Sequence, residues 1–342
     1  MTLDLPDFRG LSVAVAGDVI CDRYLFCEPK SLSREAPVMV LRHLEERVRA
    51  GGAGNVARNL TALGAATTLF GVVGRDVAGR EVRVELEHEL VGVEGLASVA
   101  GWTTPLKTRI VAAESRRNMQ QVLRIDTESV AAADIGARHD VLARLRASLS
   151  NVDALVISDY SYGFVDRELG KLAREFAQSG HVVVLDPRES LEGYEGLTAL
   201  TPNVAELAHF ANVPLERLTK TSDLEAAALS VLARCHARWM LVTRGNNGMA
   251  LFGEGVPHGG WAIEASGTGN VTDVTGAGDT AAAVFALALA RGISAPNAMV
   301  YANAASGVVV MESGASVCPP QALRDALLGA PELTPLATSA RP

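Results

Sequence analysis

The sequence predicts an α/β protein, a three-layer αβα arrangement around a parallel sheet with a smaller β-sheet added as a lid. Three observations lead there. Short β-rich apolar runs recur at 11–17 (LSVAVAG), 66–74 (ATTLFGVVG), 153–159 (DALVISD), 180–186 (GHVVVLD) and 238–243 (RWMLVT); continuous rather than alternating, they read as strands buried on both faces. Helical patterns such as NVARNLTALG, DRELGKLAREFAQSG and DLEAAALSVLARCHARW stand between them, ending in Gly or polar residues, and that alternation implies parallel strands covered by helices on both sides. Two stretches, about 21–50 and 101–127, break the alternation and read as exposed, twisted strands of one small inserted sheet.

Taken in order, the first strand ends in GDVICDRY, where Asp18 and Asp22 are either acceptors for neighbouring sugar hydroxyls or turn residues. Sheets of this kind bind ligands at the carboxyl ends of their strands, which gives priority to Asp18, Asp159, Asp186 and Arg244. GGAGNVARNLTALG (51–64) contains G-x-G-x-x-A, but the charged RHLEERVRA before it is not the buried strand a dinucleotide fingerprint needs. Its glycines instead suit close approach of a hydroxyl-rich ligand, with Asn55 and Asn59 as donor–acceptor pairs; Asn55 also reads as a helix cap. TPNVAE (201–206) sets Asn203 and Glu206 three residues apart, a capping box or a pair able to hold a hydrated Mg²⁺. LVTRGNNG (241–248) ends a strand in a Gly-rich turn. DVTGAGDT (273–280) runs into AAAVFALALARG and places Asp279 at the start of an apolar helix, where open N–H groups and the helix dipole favour anions.

The 342 residues are 48% hydrophobic with a net charge of -8, enough for a large core and unlike the basic face nucleic-acid binding needs. The N-terminal segment lacks a signal-peptide pattern, and the longest apolar run, 281–290, is shorter than the roughly 20 residues of a membrane span. Four scattered cysteines and seven histidines show no zinc-ligand spacing. The expectation is a cytoplasmic protein without disulfides, membrane or nucleic-acid partners. No G-x-x-x-x-G-K-[ST] loop is present, so nucleotide chemistry requires another anion hole. Residues 331–342, rich in Pro and Ala, read as a disordered tail behind one domain spanning 1–330.

In this order, the Gly-Gly/Asn stretch, N-x-x-E, V-T-R-G and D-x-T-G-A-G-D resemble the ribokinase (PfkB) family of carbohydrate kinases over about residues 10–330. Within it GDVICDRY, SREAPV, RNMQQVLRID, SDYSYG and LDPR resemble the D-glycero-β-D-manno-heptose-7-phosphate kinases. The resemblance implies a ribokinase-like fold and ATP- and Mg²⁺-dependent phosphorylation of the sugar's anomeric O1. Alternatives are a family kinase for another phosphosugar, sugar or nucleoside, and a binding protein that has lost catalysis.

The resemblance also assigns roles. Asp279 is the base, kept ionised at neutral pH by the helix start, and the N–H groups of Gly276, Ala277 and Gly278 form the anion hole. Asn203 and Glu206 serve the Mg²⁺ and phosphates, and Thr243, Arg244 and Gly245 the nucleotide. Asp18, Gly52, Asn55 and Asn59 bind the sugar; Asp273 and Thr275, with Gly314 and Ser316, hold a monovalent cation such as K⁺. Between 107 and 124, Lys107, Arg109, Arg116, Arg117 and Arg124 stand against one acid, Glu114, a local +4. Either this is a solvated hairpin or some of these cations, Arg116 and Arg117 foremost, grip the phosphate the sugar carries. Family lids often pair across a two-fold, which implies a homodimer. Some heptose kinases are fused to a nucleotidyltransferase; no H-x-G-H stretch occurs here, so a separate protein is expected to supply that step.

Overall fold

The structure is a computed structural model that describes residues 3–113, 120–128, 135–257, 259–267, 273–312 and 314–336. The elements in chain order are β1 (Ser12–Gly17), β2 (Val19–Leu32), β3 (Met39–Gly52), α1 (Ala53–Ala62), β4 (Ala66–Gly74), α2 (Val77–His88), β5 (Leu96–Val99), β6 (Leu106–Ala112) and β7 (Gln120–Thr127). They continue with α3 (Ile135–Ser148), β8 (Ala154–Ser158), α4 (Arg167–Gln178), β9 (Val182–Asp186), β10 (Ala199–Leu200), α5 (Val204–Ala211), α6 (Thr221–Cys235) and β11 (Trp239–Thr243). Last come β12 (Met249–Gly253), β13 (Trp261–Ile263), α7 (Ala277–Ala290), α8 (Ala295–Val309), α9 (Pro320–Leu328) and β14 (Thr334–Pro335).

Among the described residues one sheet has ten strands in the order β14-β13-β12-β11-β10-β9-β8-β1-β4-β5. The strands from β11 to β5 are parallel, and β12, β13 and β14 extend the sheet antiparallel. Each parallel strand feeds two cores, because successive side chains point to opposite faces. Val13 and Val15 of β1 join α1, α2, α7, α8 and α9 on one side; Ala14 and Ala16 join α3, α4, α5 and α6 on the other. The fold is therefore three-layered, as the alternation of runs implies.

From β1 the chain proceeds to β4 and β5 on one side, then crosses to β8, β9 and β10 on the other. Such a switch opens a crevice at the strand ends, and ligands bind there. Asp159 and Tyr160, just after β8, line a recess there together with Gly278 at the start of α7. α7 is buried from Asp279 to Leu289, which matches its unbroken apolar sequence.

The second sheet, in the order β3-β2-β6-β7, is built from two insertions, β2–β3 between β1 and α1 and β6–β7 between β5 and α3. Its base is buried and its far end is not: Val19 to Asp22 are buried, whereas β7 is exposed throughout. The outer part carries exposed Met39, Leu44, Val122, Leu123 and Ile125.

At the C-terminal end the structure departs from the expected disorder. Thr334 and Pro335 pair with β13, and Leu336 is buried, its N–H donating to Gly260 O at 3.0 Å. A two-residue strand shows no periodicity in sequence; one anchoring leucine holds it. Residues 337–342 lie outside the described part. All four cysteines are free and buried, and no described helix is long and apolar enough to cross a membrane.

Candidate active site

Gly276 caps α7 with φ +81°, a left-handed conformation, and brings Asp279 to the third helical position. A Cβ at Gly276 would collide with the Asn55 amide, so both the turn and the neighbour require glycine. Asp279 Oδ2 accepts a hydrogen bond from Asn55 Nδ2 at 2.9 Å, and Oδ1 accepts one from the Tyr160 hydroxyl at 2.9 Å. Burial pushes the carboxyl up to about 7 despite these two donors, which act the other way, with Asp22 opposing and Lys107 assisting ionisation. This corrects the expectation that the helix start alone keeps Asp279 ionised: desolvation outweighs the dipole, and the group is poised between its two states near neutrality.

The expected anion hole loses one of its three donors. The Ala277 N–H is engaged by Val274 O at 3.3 Å, while the Gly276 and Gly278 N–H groups have no partner among the described residues. Gly278 faces open space, toward a small recess of about 120 Å³ that it lines with Asp159, Asp186, Asn203, Glu206 and Thr243.

Of the residues expected to meet the sugar, Asp18 accepts three backbone bonds, from Tyr160 and Tyr162 N–H to Oδ2 (2.9 and 3.1 Å) and from Phe164 N–H to Oδ1 (3.1 Å). It shapes the loop that carries Tyr160. Gly52, at φ +57°, lies against the Asp18 carbonyl oxygen. Asn55 is not the cap of α1, which starts at Gly52 without a side-chain cap bond; its amide reaches Asp279 instead.

Three expectations are corrected here. Asn59 is fully buried, its amide bridging Asn55 O (3.0 Å) and Cys318 N–H (3.1 Å), so it supports the site from behind rather than meeting a sugar. Asp22 and Arg109, both buried, form an ion pair with each other, which neutralises the free charge each was expected to offer a sugar hydroxyl or a phosphate. Arg124 pairs with Asp126 at 2.9 Å, so two of the five clustered cations are neutralised locally. Arg116 and Arg117 lie outside the described residues. Lys107 remains: its ammonium stands 5.4 Å from the Tyr160 ring centroid and 6.0 Å from that of Tyr162, without a carboxylate partner among the described residues. Burial shifts it downward, the mark of a cation held partly out of water.

Of the residues expected to serve the nucleotide, Asn203 and Glu206 form the capping box of α5: Glu206 N–H donates to Asn203 Oδ1 (2.9 Å) and Asn203 N–H to Glu206 Oε2 (2.8 Å). Arg188 donates to the other Glu206 oxygen at 3.0 Å. Thr243 sits beside Asn203 through a parallel bridge, and Gly245 adopts φ +55° in the turn that follows. The half-buried Arg244 guanidinium has no carboxylate partner among the described residues, and burial works against its charge. Asp186 accepts from the Thr201 hydroxyl at 2.8 Å, and burial raises both Asp186 and Asp159, the latter to about 6.

Asp273 Oδ1 accepts from Thr275 N–H (2.9 Å) and Oδ2 from Gly314 N–H (3.1 Å), so the structure brings those three residues together; Ser316 N–H turns back to Gly314 O at 2.7 Å.

Sequence reasoning missed Tyr160 and Arg58. Tyr160 follows Asp159 at the end of β8, the position the switch-point rule favours. Arg58, three residues after Asn55 on α1, carries no sequence signal beyond that spacing.

Residues 11–322 match the pfkB family of carbohydrate kinases, and the chain belongs to that family. Among its relatives, the bifunctional protein HldE of Gluconacetobacter diazotrophicus is 36% identical over 310 residues, covering 90% of this chain and 62% of the relative. HldE of Aeromonas salmonicida is 36% identical over 335 residues, covering 96% and 66%. The chain thus spans under two thirds of the length of these relatives. Among solved structures, Arabidopsis thaliana ribokinase, complexed with ribose and ATP, superposes with a TM-score of 0.70 at 21% identity, covering 93% of this chain and 98% of that one. Escherichia coli phosphofructokinase-2, in complex with potassium, gives 0.72 at 19% identity, covering 93% and 98%. These two establish the fold, which is ribokinase-like.

Proposed function

We propose that the protein transfers the γ-phosphoryl group of ATP to the anomeric O1 of D-glycero-β-D-manno-heptose 7-phosphate, giving the 1,7-bisphosphate used for ADP-heptose and lipopolysaccharide core synthesis. The observation that carries the phosphotransfer is the buried Asp279 between two neutral donors at an open helix start. The hydroxyl proton passes to Asp279 as the O1–phosphorus bond forms and the bond to the ADP oxygen breaks. The Gly276 and Gly278 N–H groups stabilise charge on the phosphoryl oxygens without reorganising. Asn55 and Tyr160 hold the carboxylate by their two hydrogen bonds, and Arg244, without a carboxylate partner among the described residues, would lie beside the bound nucleotide.

The recess by Glu206, lined also by Asp159, Asp186, Asn203 and Thr243, fits a hydrated Mg²⁺ carried by the nucleotide, since its oxygen donors are hard. When bound, that ion neutralises phosphate charge. Asp273, whose carboxylate ties Thr275 and Gly314 together, is the group that would hold K⁺, which would rigidify the start of α7.

For the substrate, the heptose-kinase resemblance of SDYSYG and LDPR is joined by Lys107, a cation over the tyrosines of that first stretch. An ATP-consumption screen across phosphorylated and plain sugars tests the assignment. Heptose 7-phosphate is expected to give the highest kcat/KM, and Lys107→Ala to raise its KM by about 10- to 150-fold, the equivalent of about 1.5–3 kcal/mol for a lost charged hydrogen bond. The KM for ATP should stay within about twofold of the wild type, a small fraction of that change. Equal kcat/KM for heptose and its 7-phosphate would reject this substrate. The exposed apolar side chains of the small sheet support a homodimer through that face; sedimentation is expected to give twice the chain mass, and a monomer at micromolar concentration would refute it.

A further inference from the structure

We propose that Arg58 is a positioning residue for phosphotransfer: it fixes the Asn55 amide in the orientation that presents its NH₂ group to Asp279. The inference rests on the reading of Asp279 as the base.

Arg58 is 3% exposed and lies one turn beyond Asn55 on α1. Its Nε and Nη2 grip Glu89, just past the end of α2, at 2.7 and 3.0 Å, and Nε is 3.1 Å from Glu85 within that helix. A staple between α1 and α2 would need no more. Yet Nη1 turns the other way, donating to Ala315 O at 2.8 Å and to Asn55 Oδ1 at 3.3 Å. Asn59 Nδ2 approaches the same Oδ1 at 3.5 Å. The carbonyl end of Asn55 therefore meets only donors, and Nδ2 meets the Asp279 carboxylate at 2.9 Å.

The two ends of an amide are alike in shape and opposite in hydrogen-bonding sense. Flipping Asn55 would set its NH₂ against the guanidinium and its oxygen against the carboxylate, two repulsions where two attractions stand. With Arg58 removed, the first repulsion disappears, and the flipped amide is tolerated whenever Asp279 is protonated. Losing the Asn55 donor favours the neutral carboxyl, so the base must work at higher pH. Other charged or titratable groups around Asp279 are Asp22 on β2, Lys107 on β6, Tyr160 after β8 and Asp186 at the end of β9. Behind Asn55 stand Arg58, Glu89, Glu85 and Arg49; burial raises Glu85 to about 7, but it accepts from Ala50 N–H at 3.1 Å and faces Arg58, not Asp279.

The test is the pH profile of kcat for the wild type, Arg58→Lys, and the double variant Arg58→Gln/Glu89→Gln, in which the buried pair is neutralised together. The ascending limb is expected to move up by about one unit in both variants: about a tenfold loss of kcat at pH 6 that shrinks to less than about threefold at pH 9, with the KM for ATP unchanged. A loss by one common factor at every pH, or an unmoved limb in a folded variant, overturns the proposal. If Arg58→Lys does not fold, the double variant decides; failure of both to fold makes Arg58 a structural residue and also overturns it. A wild type with no ascending limb, or full turnover by Asp279→Asn, would instead refute Asp279 as the base, so the two failures are separable.

Discussion

Asp279→Asn is expected to lower kcat by roughly 10²- to 10⁴-fold, the range for losing a positioned base, while nucleotide affinity stays close to that of the wild type. The amide keeps the shape of the carboxyl and can still accept one bond from Asn55 or Tyr160, but it takes no proton from an attacking hydroxyl. Single-turnover kinetics with saturating ATP check this, and near-normal turnover would remove Asp279 from the chemistry. A second readout is thermodynamic. Because folding raises Asp279 from 3.8 to about 7, the folded protein binds more proton than the unfolded chain between those values. Stability at this group is therefore lost as pH rises through that window. The difference in melting temperature between the variant and the wild type should move in the variant's favour from pH 4 to about pH 7, as expected when a group is kept for chemistry at the expense of stability. A difference that does not change with pH would mean that Asp279 keeps an ordinary carboxylate value.

Gly276→Ala carries the next largest expected effect, a fall in kcat of roughly 10²- to 10³-fold, comparable to removal of one preorganised anion-hole donor. Two faults combine. A left-handed backbone costs an alanine about 1–2 kcal/mol, which tilts the turn. The new methyl group also meets the Asn55 amide directly, and neither neighbour yields easily, since Asn55 is fully buried. The N–H of Gly276 is thus re-aimed and the Asn55 bond to Asp279 is disturbed by the same atom. The KM for the sugar should change far less than kcat. Gly278→Ala is the internal comparison, because nothing lies within 4 Å of its Cβ direction in the free protein. Its methyl group would intrude only on bound phosphate, so ATP affinity should suffer while the melting temperature holds. Equal loss of kcat and no loss of ATP affinity in both variants would contradict this division.

The parallel sheet was legible because a buried strand writes itself as a short apolar run, and each of the five runs became one. The start of α7 was equally legible, since glycines at a helix start followed by a carboxylate leave few structural alternatives. Asp22 and Arg109 were not, and the reason is topological. They are 87 positions apart and meet through the parallel pairing of β2 with β6, a contact that no local pattern encodes. Seen singly, each looked like a ligand-binding charge; side by side in a buried place, they neutralise one another. Asn59 misled for a related reason: its spacing from Asn55 puts it on the same helical face, but one turn deeper, where the chain around Cys318 covers it. The state of Asp279 depended on the depth of α7 in the molecule, which follows from packing by α1 and α8 and not from the residues beside it.

The two-residue strand β14 has a consequence for how these molecules behave in a crowd. A sheet edge ordinarily offers a row of free N–H and C=O groups, as long as its outermost strand, on which another chain can pair. Here the outermost strand is too short to template a neighbour, and one of its two residues, Pro335, opposite Trp261, has no N–H to give. The last rung of the ladder is a blunt stop, which lets a large sheet end in solvent without recruiting a stranger.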